Sequence, residues 1–331
     1  PAGGAKDRAL GGKSFRLRQL AMNAGPSFDV IAIGGVCWDI LGTVERYPGL
    51  DEKTELSTLL QQGGGLAATA IVAVARLGGR GALWGKIADD EFGRKNLEEF
   101  AREGVDTTHL QVVPGGTSQF AFCVAEEGSG HRTIFWKSAT VGRLQPSDLD
   151  RDAILDCRAL MVDGNHFEAA LQVARWAHEA GVPTVLDMEN PNEKNGELLR
   201  LCDWPILPED FAVKLTGLPH ALEAGEQLHR QLGKPLILTR GLRGSAAFVE
   251  GAVHLQPAYR IERTVDTTGA GDVFHGAFAY GLALGYDLTE NLRFASAVAA
   301  LKCRALGGRT GIPSFAEARE FMEQGQCHPT S

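Results

Sequence analysis

Short apolar runs recur along this chain, each ending at a polar or glycine-rich turn. Val30–Ile33 leads into Gly34-Gly35, and Leu160–Val162, Thr184–Leu186, Pro205–Leu207 and Leu236–Thr239 follow the same pattern. A short apolar run without polar alternation is the mark of a strand buried on both faces, as in a parallel sheet. The segments Leu66–Leu77, Phe92–Glu103, Glu168–Ala180 and Ala221–Leu232 lie between these runs and read as helices. The alternation predicts an α/β fold in three layers, α/β/α, with a mostly parallel central sheet. After Phe248 the pattern predicts a hairpin, then helices at Val273–Leu284, Thr289–Ala305 and Phe315–Gln324. Ligands of such sheets bind beyond the carboxyl ends of the strands, so the polar residues that follow the strands are the candidates.

Two stretches break the alternation. Residues 39–62 and 116–137 hold the strand-like pieces Ile40–Val44, Glu55–Leu60, Gln119–Val124 and Thr133–Trp136, with no crossover helix. They are expected to form a small antiparallel sheet, a lid over one end of the main domain. A length of 331 residues suits one large domain with such an appendage. The net charge of −8 argues against a nucleic-acid partner, and no apolar run reaches the length of a membrane span. The six cysteines are scattered without a CxxC pair. That indicates neither a disulfide framework nor a zinc site, and the expectation is reduced thiols in a cytoplasmic protein. Residues 1–26 are rich in glycine and basic side chains (Lys6, Arg8, Lys13, Arg16, Arg18). They read as an N-terminal extension, non-native or disordered, with Met22 as a sensible start. The domain proper is then 27–326.

The chemistry concentrates at Asp266-Thr267-Thr268-Gly269-Ala270-Gly271-Asp272. A strand-like approach, Ile261–Val265, runs into a turn of small residues and then an apolar helix. Small residues let backbone N–H groups point at an anion without side chains between, and a helix N-terminus favours negative charge. Such a nest suits the charge of a transferred phosphoryl group. Asp272 closes the loop, where it can accept a proton from an attacking hydroxyl. A structural turn with Asp272 as a helix-start residue is the bland alternative.

The heptapeptide resembles the C-terminal signature of the ribokinase-like carbohydrate kinases, the phosphofructokinase B family. The resemblance runs from about Phe28 to the last helix. It implies an ATP-dependent kinase that phosphorylates a hydroxyl of a sugar or sugar derivative, with Asp272 as catalytic base and Gly269, Ala270 and Gly271 as anion hole. Gly64-Gly65 before the helix Leu66–Leu77, with Arg76-Leu77-Gly78 behind it, resembles the N-terminal signature. Asp39 matches the family carboxylate that binds sugar hydroxyls. Thr239-Arg240-Gly241 and Gly244 match the nucleotide-side Thr-x-Gly-x-x-Gly turn. Gly85, Asp89-Asp90 and Gly93 resemble a Gly-x-x-Gly-x-Asp turn, with Ala88 in place of the second glycine. Asp90 also reads as a helix cap. Thr267 and the turn Gly307-Gly308-Arg309-Thr310-Gly311 fall beside the nucleotide, and the turn resembles the family's monovalent-cation loop. ATP, Mg²⁺ and K⁺ are therefore the implied cofactors, with Asp266 the candidate for the monovalent cation.

The departures lie on the substrate and metal sides. Thr69 stands where the signature has asparagine, and Ser296 where ribokinases have an adenine-side asparagine. The family's Asn-x-x-Glu motif falls on Pro208–Phe211 with neither end kept, which leaves Glu209, through water, as the magnesium candidate. His166, after the strand end Asp163-Gly164-Asn165, is a candidate for substrate contact; His275 reads as a packing or hydrogen-bonding residue. Gly63–Ala70 and Arg293–Cys303 look most like bacterial sulfofructose kinases, although Asp163–His166 lacks an arginine to grip a sulfonate. Lys53, His131, Arg132 and Lys137 fall in or beside the lid. Strand alternation allows at most two of them into the pocket, Lys53 or Arg132 first. They raise the alternative of an anionic acceptor, a sugar phosphate or sulfofructose. The lid's exposed edge predicts a homodimer formed through it.

Two other classes compete. A dinucleotide-binding oxidoreductase needs G-x-G-x-x-G, which Ile33–Trp38 lacks. Gly11-Gly12-Lys13-Ser14 hints at a P-loop, but the first glycine of that motif falls on Asp7. A non-catalytic sugar or nucleotide sensor has no need of the retained base.

Overall fold

The computed structural model describes residues 25–127, 132–191 and 195–329. The first 24 residues, most of the expected extension, lie outside these, as does His131. In chain order the strands are β1 (Phe28–Ile33), β2 (Cys37–Val44), β3 (Thr58–Gly64), β4 (Gly81–Ala88), β5 (Leu110–Val113), β6 (Phe120–Glu126), β7 (Arg132–Lys137), β8 (Cys157–Asp163), β9 (Thr184–Asp187), β10 (Trp204–Pro208), β11 (Leu236–Thr239), β12 (Ser245–Val249) and β13 (Ala252–Gln256). The main helices are α1 (Leu66–Arg76), α2 (Glu91–Glu103), α3 (Phe167–Ala180), α4 (Asn195–Leu201), α5 (Glu209–Thr216), α6 (Ala221–Leu232), α7 (Ala270–Leu284), α8 (Leu288–Lys302) and α9 (Phe315–Gln324).

A nine-stranded sheet in the order β13-β12-β11-β10-β9-β8-β1-β4-β5 forms the middle layer. It is parallel from β11 to β5, and the only antiparallel pairings are β11–β12 and β12–β13. β1 shows why its sequence is uniformly apolar. Val30 and Ala32 pack into a core with Ile71 of α1 and Phe274 and Phe278 of α7. Ile31 and Ile33 pack into a second core with Leu171 of α3 and Phe211 of α5. A strand with a helix layer on each face has no polar side to offer.

Two expectations about this sheet need correction. β4 and β5 extend it beyond β1 and were not among the predicted strands. Gly81-Ala-Leu-Trp-Gly-Lys hides β4 behind two glycines and a lysine, and that lysine is neutralised where it stands, with Lys86 Nζ 2.9 Å from Asp148. Ile261–Val265 is no strand. It has no partner strand, and its end is held instead by Val265 N–H donating to Cys303 O at 2.8 Å.

The small sheet has the order β3-β2-β6-β7. Its two outer pairings are antiparallel, but β2 and β6 run parallel, so the lid is mixed rather than antiparallel. The reason lies in the chain path: β1 and β5 run the same way in the main sheet, and each continues outward into one of the two lid strands. The lid is also longer than the predicted 39–62 on its first side, from Cys37 to Gly64. Asp90 joins it to the main domain. It caps α2 by accepting from Gly93 N–H at 2.9 Å, and it also accepts from the N–H and hydroxyl of Ser118 at 2.8 and 2.7 Å.

Candidate active site

α7 begins three residues before its predicted start, which places Asp272 in its first turn. Gly269 is the N-cap at φ +73°, and a Cβ there would come within 2.8 Å of Gly308 Cα. The loop therefore needs glycine both for its left-handed backbone and for the approach of the 307–311 turn. Ala270 N–H donates to Thr267 O at 3.1 Å, whereas the N–H groups of Gly271 and Asp272 in the same first turn have no intrahelical partner and stand ready for an anion. Asp266 fixes the loop from below, accepting from Thr268 N–H and Gly307 N–H, each at 2.8 Å. Burial would raise its carboxyl, but these bonds and the Lys302 ammonium hold it below the ordinary carboxylate range. Lys302 is fully buried, and its Nζ donates to the main-chain carbonyl of Asp266 at 2.8 Å. The oxygens expected to hold a monovalent cation thus already serve two N–H groups and an ammonium, and Asp266 does not fit K⁺.

The acceptor side is built by the strand ends of the lid. Asp39, on β2, faces Gly64 on β3, where a Cβ would lie 2.1 Å from its carboxylate, so the missing side chain makes its room. Burial raises the Asp39 carboxyl, while Cys37 and Arg309 work the other way. Asp163, buried at the end of β8, accepts from the N–H groups of Gly35, Ala67 and Asn165 at 2.8, 3.3 and 2.8 Å, tying three strand and helix ends to one carboxylate. Thr69 does not reach toward a substrate. It is buried, and its hydroxyl accepts from Arg309 Nε at 3.4 Å. Arg309, named from the sequence only as part of the 307–311 turn, is what holds this region together. It is 1% exposed, donates to Glu99 at 2.8 Å and to Gly64 O at 3.1 Å, and lies over the Phe100 ring. Glu99 in turn accepts from Gly63 N–H at 2.8 Å. The signal was an arginine inside a run of glycines, a position that reads as a solvent turn until the turn is seen to be buried.

Asp272 is partly exposed at the start of α7, and its carboxyl is raised well above its ordinary value, first by desolvation and then by Asp187 and Glu189, with Asp39 adding to it. The structure thus brings Asp39 and Asp272 within electrostatic reach of each other. Asp187, at the end of β9, was not a sequence candidate. It is buried, and its Oδ2 has no hydrogen-bond partner.

The nucleotide-side residues form a second cluster of turns. Thr239 ends β11, and Gly241 (φ +55°) and Gly244 (φ +83°) close a turn in which Arg240 N–H donates to Gly244 O at 2.8 Å. Ser296 is buried on α8. Glu209 lies 2.5 Å from Arg243 and 3.7 Å from Arg240. Its Oε1 is taken by Arg243, while Oε2 is buried without a hydrogen-bond partner, and the two guanidinium groups compete with magnesium for this carboxylate. Among the described residues no three His, Cys, Asp or Glu side chains converge on a cation position.

His166 is buried at the N-cap of α3, where Nδ1 accepts from Leu144 N–H at 3.1 Å. Lys53 and Lys137 are exposed. Arg132 is the lid cation that reaches the site, with Nη1 3.4 Å from the hydroxyls of both Thr267 and Thr268.

A glycine-rich helix start that carries a carboxylate, within electrostatic reach of a second carboxylate on a small separate sheet, is an arrangement suited to a small-molecule phosphotransferase. Residues 27–314 match the pfkB family of carbohydrate kinases, and the chain belongs to that family. It is a carbohydrate kinase on a ribokinase-like fold. A putative ribokinase from Agrobacterium tumefaciens superposes with a TM-score of 0.84 at 31% identity, over 91% of this chain and 98% of that one. Arabidopsis thaliana ribokinase, solved with ribose and ATP, gives a TM-score of 0.79 at 25% identity, over 91% and 99%. Mouse ketohexokinase is 26% identical over 296 residues, 86% of this chain and 98% of that protein. No helix among the described residues is long and apolar enough to cross a membrane.

Proposed function

We propose that this protein transfers the terminal phosphoryl group of ATP to a hydroxyl of a sugar or sugar derivative, with Asp272 as general base and the Gly269–Gly271 backbone as anion hole. The observation that carries this reading is the placement of the Asp272 carboxyl, raised above its ordinary value, in the first turn of α7 and within electrostatic reach of Asp39. Asp39 accepts a hydrogen bond from a sugar hydroxyl and orients the acceptor. Asp272, raised toward the working pH, takes the proton of the reacting hydroxyl as its oxygen bonds to phosphorus and the bond to ADP breaks. The helix-start N–H groups hold the charge on the phosphoryl oxygens. Thr239, Gly241, Gly244, Thr267, Ser296 and Gly308 line the nucleotide side in this reading, which the ATP complex of the Arabidopsis ribokinase supports. Magnesium in this reading comes with the nucleotide, held by phosphate oxygens and water.

The finer reading is an anionic acceptor, a sugar phosphate or sulfofructose. Its support is Arg132, a lid guanidinium 3.4 Å from the hydroxyls of Thr267 and Thr268, where it can meet a phosphate or sulfonate on the acceptor as well as the phosphates of ATP. A homodimer formed through the lid completes it.

The test is ADP release with a panel of sugars, sugar phosphates and sulfosugars. Asp272→Asn is expected to fold, to bind ATP, and to lose roughly 10²–10⁴-fold in turnover. Near-normal turnover in the folded variant would remove the base, and no release with any acceptor would favour a sensor. Arg132→Ala is expected to weaken kcat/KM for an anionic ketose more than for its neutral counterpart. Equal loss for both makes Arg132 a surface residue.

A further inference from the structure

His275 lies one helical turn beyond Asp272 on α7 and is 3% exposed. Both of its ring nitrogens meet main-chain carbonyls. Nδ1 is 2.7 Å from Gly271 O, and Nε2 is 2.8 Å from Ile206 O on β10. Carbonyl oxygens only accept, and a neutral imidazole carries a single N–H. In a neutral ring one of these contacts would set lone pair against lone pair at hydrogen-bond distance. Imidazolium has two donors and satisfies both.

A counter-charge is in place. The Asp187 Oδ2 that lacks a hydrogen-bond partner is the oxygen 3.3 Å from His275 Nδ1. A proton could instead sit on Asp187 with the ring neutral, but then the 2.7 Å contact to Gly271 O has no hydrogen in it. Burial is the largest influence and holds the ring below the ordinary histidine value, while the carbonyls of Ile206 and Gly271, then Asp272 and Glu189, work the other way; the case for a second N–H is the pair of carbonyl contacts. The titratable groups facing the ring are Asp272 on its own helix, Asp187 on β9 and Glu189 just after β9.

We propose that His275 is a positioning residue held as an imidazolium, whose Nδ1–H fixes the Gly271 carbonyl and whose charge keeps Asp272 ionised among its carboxylate neighbours. The Gly271–Asp272 peptide carries a first-turn N–H on its other side, so the bond to Gly271 O also orients that donor at the anion hole. The imidazolium offsets Asp187, Glu189 and Asp39 where the base must stand ionised.

The second half of this rests on Asp272 being the base; the first half does not. Nitrogen-15 NMR of the histidine rings separates them, with the His275 signal assigned in the wild-type protein by through-bond correlation to its own main chain. Both nitrogens of His275 are expected to stay protonated at about pH 8, where exposed imidazoles are neutral. A singly protonated ring overturns the proposal, and since the wild-type protein gives this result, it holds even where a variant fails to fold. The kcat–pH profile then tests the consequence. Removing a nearby positive charge raises a carboxylate's pKa, by about one unit or more at this range. His275→Asn should move the acid limb of kcat to higher pH, losing about tenfold on the acid side and recovering at alkaline pH. A ring that only fills space would lower turnover alike at every pH, and an unmoved acid limb overturns the tuning role. If Asp272→Asn keeps its turnover while His275 remains doubly protonated, the base assignment fails and the imidazolium stands.

Discussion

Two fully buried cations flank the site, and each is neutralised in its own way. Arg309 meets a carboxylate, Glu99, together with a carbonyl and a hydroxyl; Lys302 meets the Asp266 carbonyl, with the Asp266 carboxylate near enough to favour its charge. A broken buried pair leaves the surviving charge uncompensated, at a cost of about 3–5 kcal/mol. Arg309→Met is expected to lose stability of that order in urea unfolding, and Arg309→Met with Glu99→Gln to recover part of it. A cost for the single change no larger than for a surface arginine would show that the network is not set as described. Lys302 leads to a different measurement. Because its ammonium already sits on the Asp266 carbonyl, exchange of Na⁺ for K⁺ in the assay is expected to leave turnover unchanged, and Lys302→Ala to lower it. Stimulation of the wild type by K⁺ would place a cation where the ammonium now stands.

At the scale of elements, what could be read from the sequence followed from how local each cause is. β1, β8, β9 and β11 declared themselves because burial on both faces writes one uninterrupted apolar run. The helix start at Asp272 was legible because the anion nest, its cap and its base lie within seven consecutive residues. Asp90 was legible as a cap from its place before α2, although its second task, holding Ser118 at the foot of the lid, joins residues 28 apart and was not. Thr69 was misplaced for the same reason: its partner, Arg309, is 240 residues away. The mixed lid escaped because the direction of β2 relative to β6 is set by the main sheet, not by either strand. Asp90→Ala removes the cap and the lid anchor together. It is expected to cost about 1 kcal/mol for the cap and to raise KM for the sugar more than it lowers kcat, as substrate titrations would read. A variant with full stability and unchanged KM would make the Ser118 contact incidental.

For the whole molecule, the lid is the part whose surface is unlike the rest. β7 is an edge strand with Ile134, Phe135 and Trp136 all exposed, Trp136 at 65%, and Leu59 is exposed on the opposite edge strand, β3. Unprotected apolar edges invite pairing, which supports the proposed dimer. Trp136→Glu is expected to sediment as a monomer at micromolar concentration with reduced activity. A wild-type protein that is already a fully active monomer would rule the dimer out. The main sheet carries a consequence of another kind. Its central seam joins β1 to β8, whose bonding begins where Ser27 N–H donates to the Asp156 carboxylate, 129 residues on. At a synthesis rate of about 5–20 residues per second, the apolar strand β1 waits roughly ten seconds on the ribosome with one edge open. Loop closure over such a separation is also slow once synthesis ends. The burial that makes β1 so easy to recognise is thus what most exposes the nascent chain to aggregation, and its capture by β8 is the step a chaperone would have to protect.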